Sequence, residues 1–536
     1  MSAPHTSYDD VPYDSFPYPQ THPSKLAVIA TLFGLAPPAV ATCRTLELGC
    51  AAGGNLIPMA EALPAAGFVG VDLSARQIDD GQRLARAAGL TNVSLRHASI
   101  TDVDDGYGTF DYIVCHGVYS WVPPNVQDRI FDVCAARLAP NGVAYVSYNT
   151  YPGWHMRGMI RDMMRYHALR FDGPAERVGQ ARALLDFLAQ STQKDAGAYG
   201  VLLRSELELL RRQSDQYLYH EQLEDFNEPV YFHQFMARAA RHGLRYLGEA
   251  HINTMVTGNF GPEVQKTLAA LATDQIQAEQ YLDFVRNRTF RETLLVRADA
   301  APDWAIVPER VYGLHAASGA RAVGRAPSGP SAAQQFQSAS GMVISATNPA
   351  FKAAMAALLA AWPGTVPFAE LPERVAAALG RLVTEAEVSG LGLALLNAFI
   401  SSDLIELHAE PLTFARAPGN RPAALAHARA AAAAGRTSVT NRRHEVVSLT
   451  DFARHLLPLL DGTRDRAALA EAVAALATAG ALTVRRGGQA VSDPDELRRG
   501  IADSIGPALE ALAKEALLAD RLSATRPAGG CGPTGR

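Results

Sequence analysis

A chain of 536 residues holds roughly three or four domains at about 150 residues each, and its 48% hydrophobic and 19% charged residues are enough for ordinary cores. A formal net charge of −5 argues against a general binder of polyanions. The cysteines Cys43, Cys50, Cys115, Cys134 and Cys531 form no CxxC pair, so neither a zinc site nor a disulfide framework is expected, and reduced thiols in a cytoplasmic protein fit best.

Residues 1–25 are acidic and aromatic and lack the basic flank and apolar core of a signal peptide. Pro17, Pro19 and Pro23 favour an extended run, and "YDSFPYPQTHP" reads either as a lid over a cleft or as packing on a sheet edge. The run "LAVIATLFGLAPPAVA" is the most membrane-like, but Pro37 and Pro38 interrupt it before the roughly 20 residues a span needs. Residues 26–170 alternate strand-like runs ("RTLEL", "FVGVD", "VSLRH", "FDYIVC", "GVAYVSY") with helical ones ("GNLIPMAEAL", "ARQIDDGQRLARAAG", "VQDRIFDVCAARL", "MRGMIRDMMRYHAL"). That alternation predicts one doubly wound α/β domain.

Strands thin out after Phe171. Residues 171–305 read as helical, with amphipathic segments at "ARALLDFLAQ", "LLRSELELLRRQSDQYLYHEQL" and "VYFHQFMARAARHGL". Between the last two, "NEP" suggests Asn227 as a cap and Pro229 at a helix start. Residues 306–340 are rich in Gly, Ser, Pro and Ala and read as a flexible linker. Residues 341–415 suggest a helical module with a short strand pair, 416–523 a last helical module, and 524–536 a disordered tail.

The stretch "TLELGCAAGGNL", Thr45 to Leu56, is a strand, a bare turn and a helix start. Such a turn lets backbone approach a ligand and offers free helix amides to it. Gly49, Ala51 and Gly54 give a weak GxAxxG reading, the dinucleotide pattern. Glu47, Gly49, Ala51 and Gly53 give instead an acid followed by alternating small residues. An acid here would repel a pyrophosphate but suits an ammonium group. S-adenosylmethionine carries an ammonium and a sulfonium and no phosphate. Asp72, about 20 residues on, ends the second strand, where a carboxylate can grip ribose hydroxyls in either reading. The pair of acids favours S-adenosylmethionine.

With its five strand-end segments in order, the sequence resembles a class I SAM-dependent methyltransferase. The resemblance assigns Glu47, Gly49, Ala51, Gly53 and Asn55 to the methionine end, Asp72 to the ribose, and Ser99 and Ile100 to the adenine. "RHASITD" carries Ser99 where many relatives have an acid, with Asp102 as a possible substitute. The acceptor site of this fold follows the fourth strand, at "CHGVYSWVPP". His116 to Tyr119 stand where amine methyltransferases often carry (D/N)PPY, and keep only the final Tyr. His116 is a candidate for moving a proton or orienting substrate, Tyr119 and Trp121 for pocket walls. After the fifth strand, Asn149, Tyr151 and Trp154 lie where ligands bind in open α/β sheets.

"VPYDSFPYPQTHP", "CHGVYSWVPP", "SYNTYPGWHMRGMIRDMM" and "YLYHEQLEDFNEPVYFHQF" together are similar to bacterial methyltransferases carrying a methyltransferase regulatory domain, a family that includes rickettsial enzymes methylating lysines of outer-membrane proteins. "LLPLLDGTRDRAAL" resembles their winged-helix-like accessory module. The resemblance implies a Rossmann-like class I methyltransferase domain, a mainly helical regulatory domain with a positioning role, and small winged-helix-like C-terminal modules. It implies S-adenosyl-L-methionine as cofactor and a protein lysine as methyl acceptor, and the cysteine pattern and the interrupted apolar run add the expectation of no metal and no membrane span. A small-molecule acceptor is the alternative. A SAM-sensing or nucleic-acid-binding regulator is a third reading, drawing on "NRRHE", Arg416, Arg421 and Arg429, although a solvated helix face explains those residues more simply.

Overall fold

The computed structural model describes residues 15–192, 194, 197–324, 329, 332–486, 489–491 and 493–520. The first helix, α1 (Pro23–Leu32), is the membrane-like run of the sequence. Leu26, Ala27, Val28, Ile29, Ala30 and Leu32 are all buried, because the helix lies between the central sheet and a C-terminal module, and a helix covered on all sides reads as apolar all round.

The sheet begins with β1 (Arg44–Leu48), continues through α2 (Leu56–Ala62), β2 (Gly67–Asp72), α3 (Ala75–Ala87), β3 (Val93–His97), β4 (Phe110–Cys115) and α4 (Pro124–Arg137), and reaches β5 (Leu138–Asn149). These five strands are parallel, in the order β3-β2-β1-β4-β5. With helices on both faces the inner strands bury both sides and read as continuous apolar runs. Their C-terminal ends, carrying Glu47, Asp72, His116 and Asn149, converge on one edge of the sheet.

The sheet does not end at β5. After α5 (Trp154–Ala168), α6 (Pro174–Ser191), α7 (Ala198–Arg211), α8 (Asp215–Gln222) and α9 (Phe232–Arg241) comes β6 (Leu244–Glu249), and after α10 (Pro262–Leu271) and α11 (Gln275–Arg286) comes β7 (Phe290–Arg297). Both strands add antiparallel to the same sheet, which continues β5-β7-β6. The expectation of a helical region at 171–305 is therefore corrected: the sheet takes two of its seven strands from it. Buried Arg291 secures the addition, donating to Asp283 Oδ2 at 2.9 Å and to Glu249 Oε1 at 2.6 Å.

Helices α5 to α8 share a core of their own around Ile160, Met164, Leu185, Leu203 and Leu218. The single helix expected over "LLRSELELLRRQSDQYLYHEQL" is two, because Ser214 Oγ accepts from the Tyr217 N–H at 3.2 Å and starts α8 there. Pro229 does not open a helix. α9 begins at Phe232, and Asn227 Oδ1 accepts from Asn149 Nδ2 at 3.1 Å rather than capping a helix.

The expected linker at 306–340 is also corrected. It contributes β8 (His315–Ala317), β9 (Arg321–Val323) and β10 (Gln334–Gln337). With β11 (Val343–Ala346), α12 (Pro349–Ala361), β12 (Val366–Pro367), α13 (Leu371–Leu379), α14 (Glu385–Ser401) and β13 (Glu406–His408) these form two small three-stranded sheets, β11-β10-β9 and β12-β8-β13. Small polar residues resembled a linker in composition, yet Ala316 and Ala317 are fully covered.

The last module holds α15 (Ala426–Ala433), β14 (Ser438–Thr440), β15 (Val446–Ser448), α16 (Asp451–Leu456), α17 (Arg466–Thr478) and α18 (Pro494–Lys514) around Leu425, Leu456, Leu469, Ile501 and Leu509. It docks on the methyltransferase sheet domain through α2, whose Glu61 carboxylate accepts from the N–H groups of Ala426 at 2.8 Å and His427 at 2.9 Å. An acid placed against the positive end of α15 is favourable. The tail 524–536 and Cys531 lie outside the described residues, and the other four cysteines are buried and free. Among the described residues no helix is long and apolar enough to cross a membrane.

Candidate active site

A cleft of about 780 Å³ opens along the C-terminal edge of the sheet. One half is the turn after β1. Gly49 has a φ of +78°, and a Cβ there would come within 2.5 Å of Val118 Cγ2, so a bare residue is required. The Ala51 N–H donates to Asp72 Oδ2 at 2.8 Å, and the Ser74 N–H to Asp72 Oδ1 at 2.9 Å. Asp72 thus braces the turn and the start of α3 while lining the cleft.

Glu47 is 3% exposed. Its Oε1 accepts from Asn55 Nδ2 at 2.8 Å, whereas Oε2 is buried at the cleft with no hydrogen-bond partner. Burial pushes its carboxyl up to about 8; the Asn55 hydrogen bond opposes the rise and Asp72 adds to it. An orphaned carboxylate oxygen in a cleft has a defined complement, a cation with N–H groups. The ammonium of S-adenosylmethionine fits it.

Asn55 is itself fixed from two distant parts of the chain. Its Oδ1 accepts from the Tyr18 N–H at 3.0 Å and lies 2.7 Å from His444 Nε2, and its Nδ2 also donates to Thr21 Oγ1 at 2.9 Å. Burial holds the His444 imidazole neutral, well below its ordinary range. His444 belongs to "NRRHE", and this corrects the reading of that stretch as a solvated face. It is a covered turn between β14 and β15, in which Arg443 is 7% exposed and pairs with Glu406 and Glu445. Nothing in the local sequence marks His444 for the site; only tertiary contact brings it there.

The N-terminal segment crosses the cleft. Ser15, Phe16 and Tyr18 line it, and Ser15 Oγ accepts from the Gly54 N–H at 2.8 Å. A Cβ on Gly54 would sit 2.3 Å from the Ser15 carbonyl oxygen. Residues 1–14 of the expected lid lie outside the described residues.

Ser99 and Ile100 line the cleft beyond Asp72. Asp102 does not line it: its carboxylate accepts from the Ser99 N–H at 3.0 Å, capping a short 3-10 turn. Gly53 lies behind the turn against Leu95 and Ile57, away from the cleft lining.

The acceptor-side residues divide. His116, Trp121, Asn149 and Trp154 line the cleft, with the two indoles edge to face at 6.5 Å. Tyr119 does not, which corrects its placement as a wall. It is fully buried among Phe131, Tyr148 and Phe235, and its Oη accepts from Arg238 at 3.3 Å. Tyr151 also turns away, stacking on His155 at 4.0 Å beside Tyr231. The helical region instead brings Arg157, Tyr217, His220, Glu221 and Phe226 to the cleft, and β7 brings Phe290. Sequence reasoning missed all six. Burial pushes the Glu221 carboxyl up to about 7, with Arg157 and Arg161 opposing.

Comparison with known proteins fits this geometry. Residues 46–144 match the family of methyltransferase domains, residues 214–297 a predicted methyltransferase regulatory domain, and residues 420–517 the PKMT C-terminal winged helix domain. The uncharacterized protein RP789 of Rickettsia prowazekii is 37% identical over 531 residues, covering 96% of this chain and 94% of that protein. A second protein of that organism, RP028, is 44% identical over 241 residues, 45% of this chain and 96% of its own length. The structure of PKMT2 from Rickettsia typhi in complex with AdoHcy superposes with a TM-score of 0.84 at 31% identity, covering 95% of this chain and 100% of PKMT2.

Proposed function

The chain belongs to the bacterial methyltransferase family that joins a methyltransferase domain to a regulatory domain and a PKMT winged helix, and we propose that this S-adenosylmethionine-dependent enzyme methylates a lysine side chain of a protein. The observation that carries the proposal is one cleft lined both by Glu47, with its orphaned carboxyl oxygen, and by two indoles packed edge to face. The likeness to PKMT2, a name for a protein lysine methyltransferase, supports it.

At the cofactor end Glu47 Oε2 would take the ammonium, Asp72 the ribose hydroxyls, and Ser99 with Ile100 would flank the adenine. The bound cofactor supplies an electrophilic methyl group on a sulfonium. The protein's task is then to position an uncharged amine in line with it. A lysine amine has a reference pKa of about 10.4 and arrives protonated. Glu221 lines the same cleft and in its ionised form would attract that charge, and Trp121 and Trp154 would attract it by about 0.5–2 kcal/mol of cation–π energy. Inside, loss of water favours the neutral amine. Asn149 lines the cleft and its amide nitrogen donates to Asn227, so its carbonyl oxygen would be the group that accepts from an amine hydrogen.

Incubating the protein with isotope-labelled cofactor and a bacterial lysate, then digesting and sequencing the labelled peptides by mass spectrometry, tests the acceptor. Methyl groups on lysine are expected. Trp121→Ala and Trp154→Ala should reduce labelling while calorimetry shows cofactor affinity within about twofold of wild type. Label confined to small molecules would overturn the lysine assignment.

A further inference from the structure

Behind the acceptor end of the cleft, a chain of buried polar groups leads away from His116. Its Nδ1 lies 2.8 Å from Tyr145 Oη, and Tyr145 donates its hydrogen to Glu292 Oε1 at 2.8 Å. The same Oε1 accepts from Gln20 Nε2 at 2.7 Å. Glu292 Oε2 lies 3.1 Å from His251 Nε2, which borders a second cavity of about 300 Å³. The register explains the meeting: Tyr145 on β5 pairs with Leu294 on β7, so Glu292 is its diagonal neighbour on the same face. Phe290, two residues earlier, borders both cavities.

We propose that Glu292 and Tyr145 are positioning residues for methyl transfer: they hold His116 with its hydrogen on Nδ1, leaving Nε2 to take the proton of the acceptor amine. This deepens the amine-methylation reading and rests on it. Tyr145 has one hydrogen, and Glu292 receives it. Ser147 and Gln20 also reach the Tyr145 hydroxyl, but with the phenol hydrogen on Glu292 the hydrogen in the 2.8 Å contact between that oxygen and His116 Nδ1 comes from Nδ1. Nε2 is then a lone pair on a ring that lines the cleft.

The charge is arranged to match. Burial works to raise the Glu292 carboxyl, but hydrogen bonds and charge from His251, with Tyr145 and Gln20, hold it at about 2, so it is an anion. His251 is raised in turn by its bond to Glu292. Burial lowers His116 to about 4, and Glu292 opposes that, favouring an imidazolium at the moment one forms. The groups packed on His116 are Tyr18 from the N-terminal segment at 3.8 Å, Tyr145 from β5 and Phe290 from β7. None is cationic, so Glu292 is the charge the imidazolium meets. In the step an ammonium N–H bond breaks and an Nε2–H bond forms. With a bound sulfonium donor, the freed lone pair would form the N–C bond as the donor's C–S bond breaks and its sulfur leaves as a neutral thioether with the bonding pair, and His116 would then return the proton to water.

The test has one arm independent of turnover. In protein labelled with ¹⁵N-histidine, the His116 signals, assigned by their absence in His116→Gln, should show the Nδ1–H tautomer in wild type. They should show a mixture of tautomers in Tyr145→Phe and titrate at lower pH in Glu292→Gln. In the second arm, tritiated cofactor and a pool of synthetic lysine peptides should show kcat at neutral pH falling about tenfold to a hundredfold in either variant, recovering as pH rises, with peptide KM unchanged. A wild-type His116 with its hydrogen on Nε2 would overturn the proposal, as would a loss of kcat equal at every pH. Methylation of a non-lysine acceptor by wild type overturns the lysine reading alone, and the tautomer then decides the positioning role.

Discussion

Replacing Glu47 by Gln removes one ionisable group and almost no volume, and it should change how stability depends on pH. Burial lifts the Glu47 carboxyl from 4.5 to about 8 in the folded chain. Between those values the folded protein keeps a proton that the unfolded chain has released, so stability falls as pH rises through that window. Each tenfold change in proton affinity is worth about 1.4 kcal/mol. From about pH 5.5 to about pH 8.5 the wild-type protein should therefore lose about 3 kcal/mol that Glu47→Gln does not lose. Buried histidines such as His22, which burial lowers to about 3, titrate alike in both proteins and drop out of the difference. Urea denaturation at the two pH values, without cofactor, measures it. The cofactor's ammonium should reverse the effect by favouring the carboxylate, so binding near pH 6.5 should release a proton, seen by calorimetry in buffers of different ionisation enthalpy. Glu47→Gln should bind cofactor more weakly by about 1.5–3 kcal/mol and release none. Equal pH slopes in the two proteins, or unchanged affinity, would refute the assignment of Oε2 as the ammonium's partner.

Three further outcomes follow from the geometry. His444→Asn keeps a residue tolerant of the φ of +64° at that position but is too short to reach Asn55, and it should weaken cofactor binding by about 1 kcal/mol, measured by calorimetry. Tyr119→Phe should leave kcat unchanged and cost up to about 1 kcal/mol of stability in urea, since its hydroxyl serves Arg238 and not the cleft. Gly54→Ala should push the N-terminal segment off the turn, because the new Cβ would lie 2.3 Å from Ser15 backbone; faster proteolysis before Tyr18 and lower cofactor affinity are expected, at an unchanged melting temperature.

The alternation of β1 to β5 with their helices was legible because each element signals its period within a few residues. Glu47 and Asp72 were legible for the same reason: a strand end followed by a bare turn fixes which way its last acid faces, and both line the cleft. Local pattern stopped serving where orientation depended on a distant partner. Tyr119 and Trp121 share one 3-10 turn, and a rotation of about 120° per residue sends one ring into the core and the other to the cleft. No propensity distinguishes them; the packing of Phe131 and Phe235 does. β6 and β7 went unread within a region taken as helical, because the pairing of β7 with β5, and of β6 with β7, joins segments far apart in the chain and leaves no trace in any of them. That pairing places Glu292 beside Tyr145, and the docking of the last module places His444 on Asn55 across 389 residues. The sequence by itself determined which edge of the sheet carries the cleft and which two acids stand on it, since both are set by hydrogen bonds within a strand, a turn and a helix. Only the tertiary structure decided which aromatic rings face the cleft and which buried polar groups hold Glu47 and His116 in place, because those contacts join segments that meet only when apolar surface from several parts of the chain is buried together.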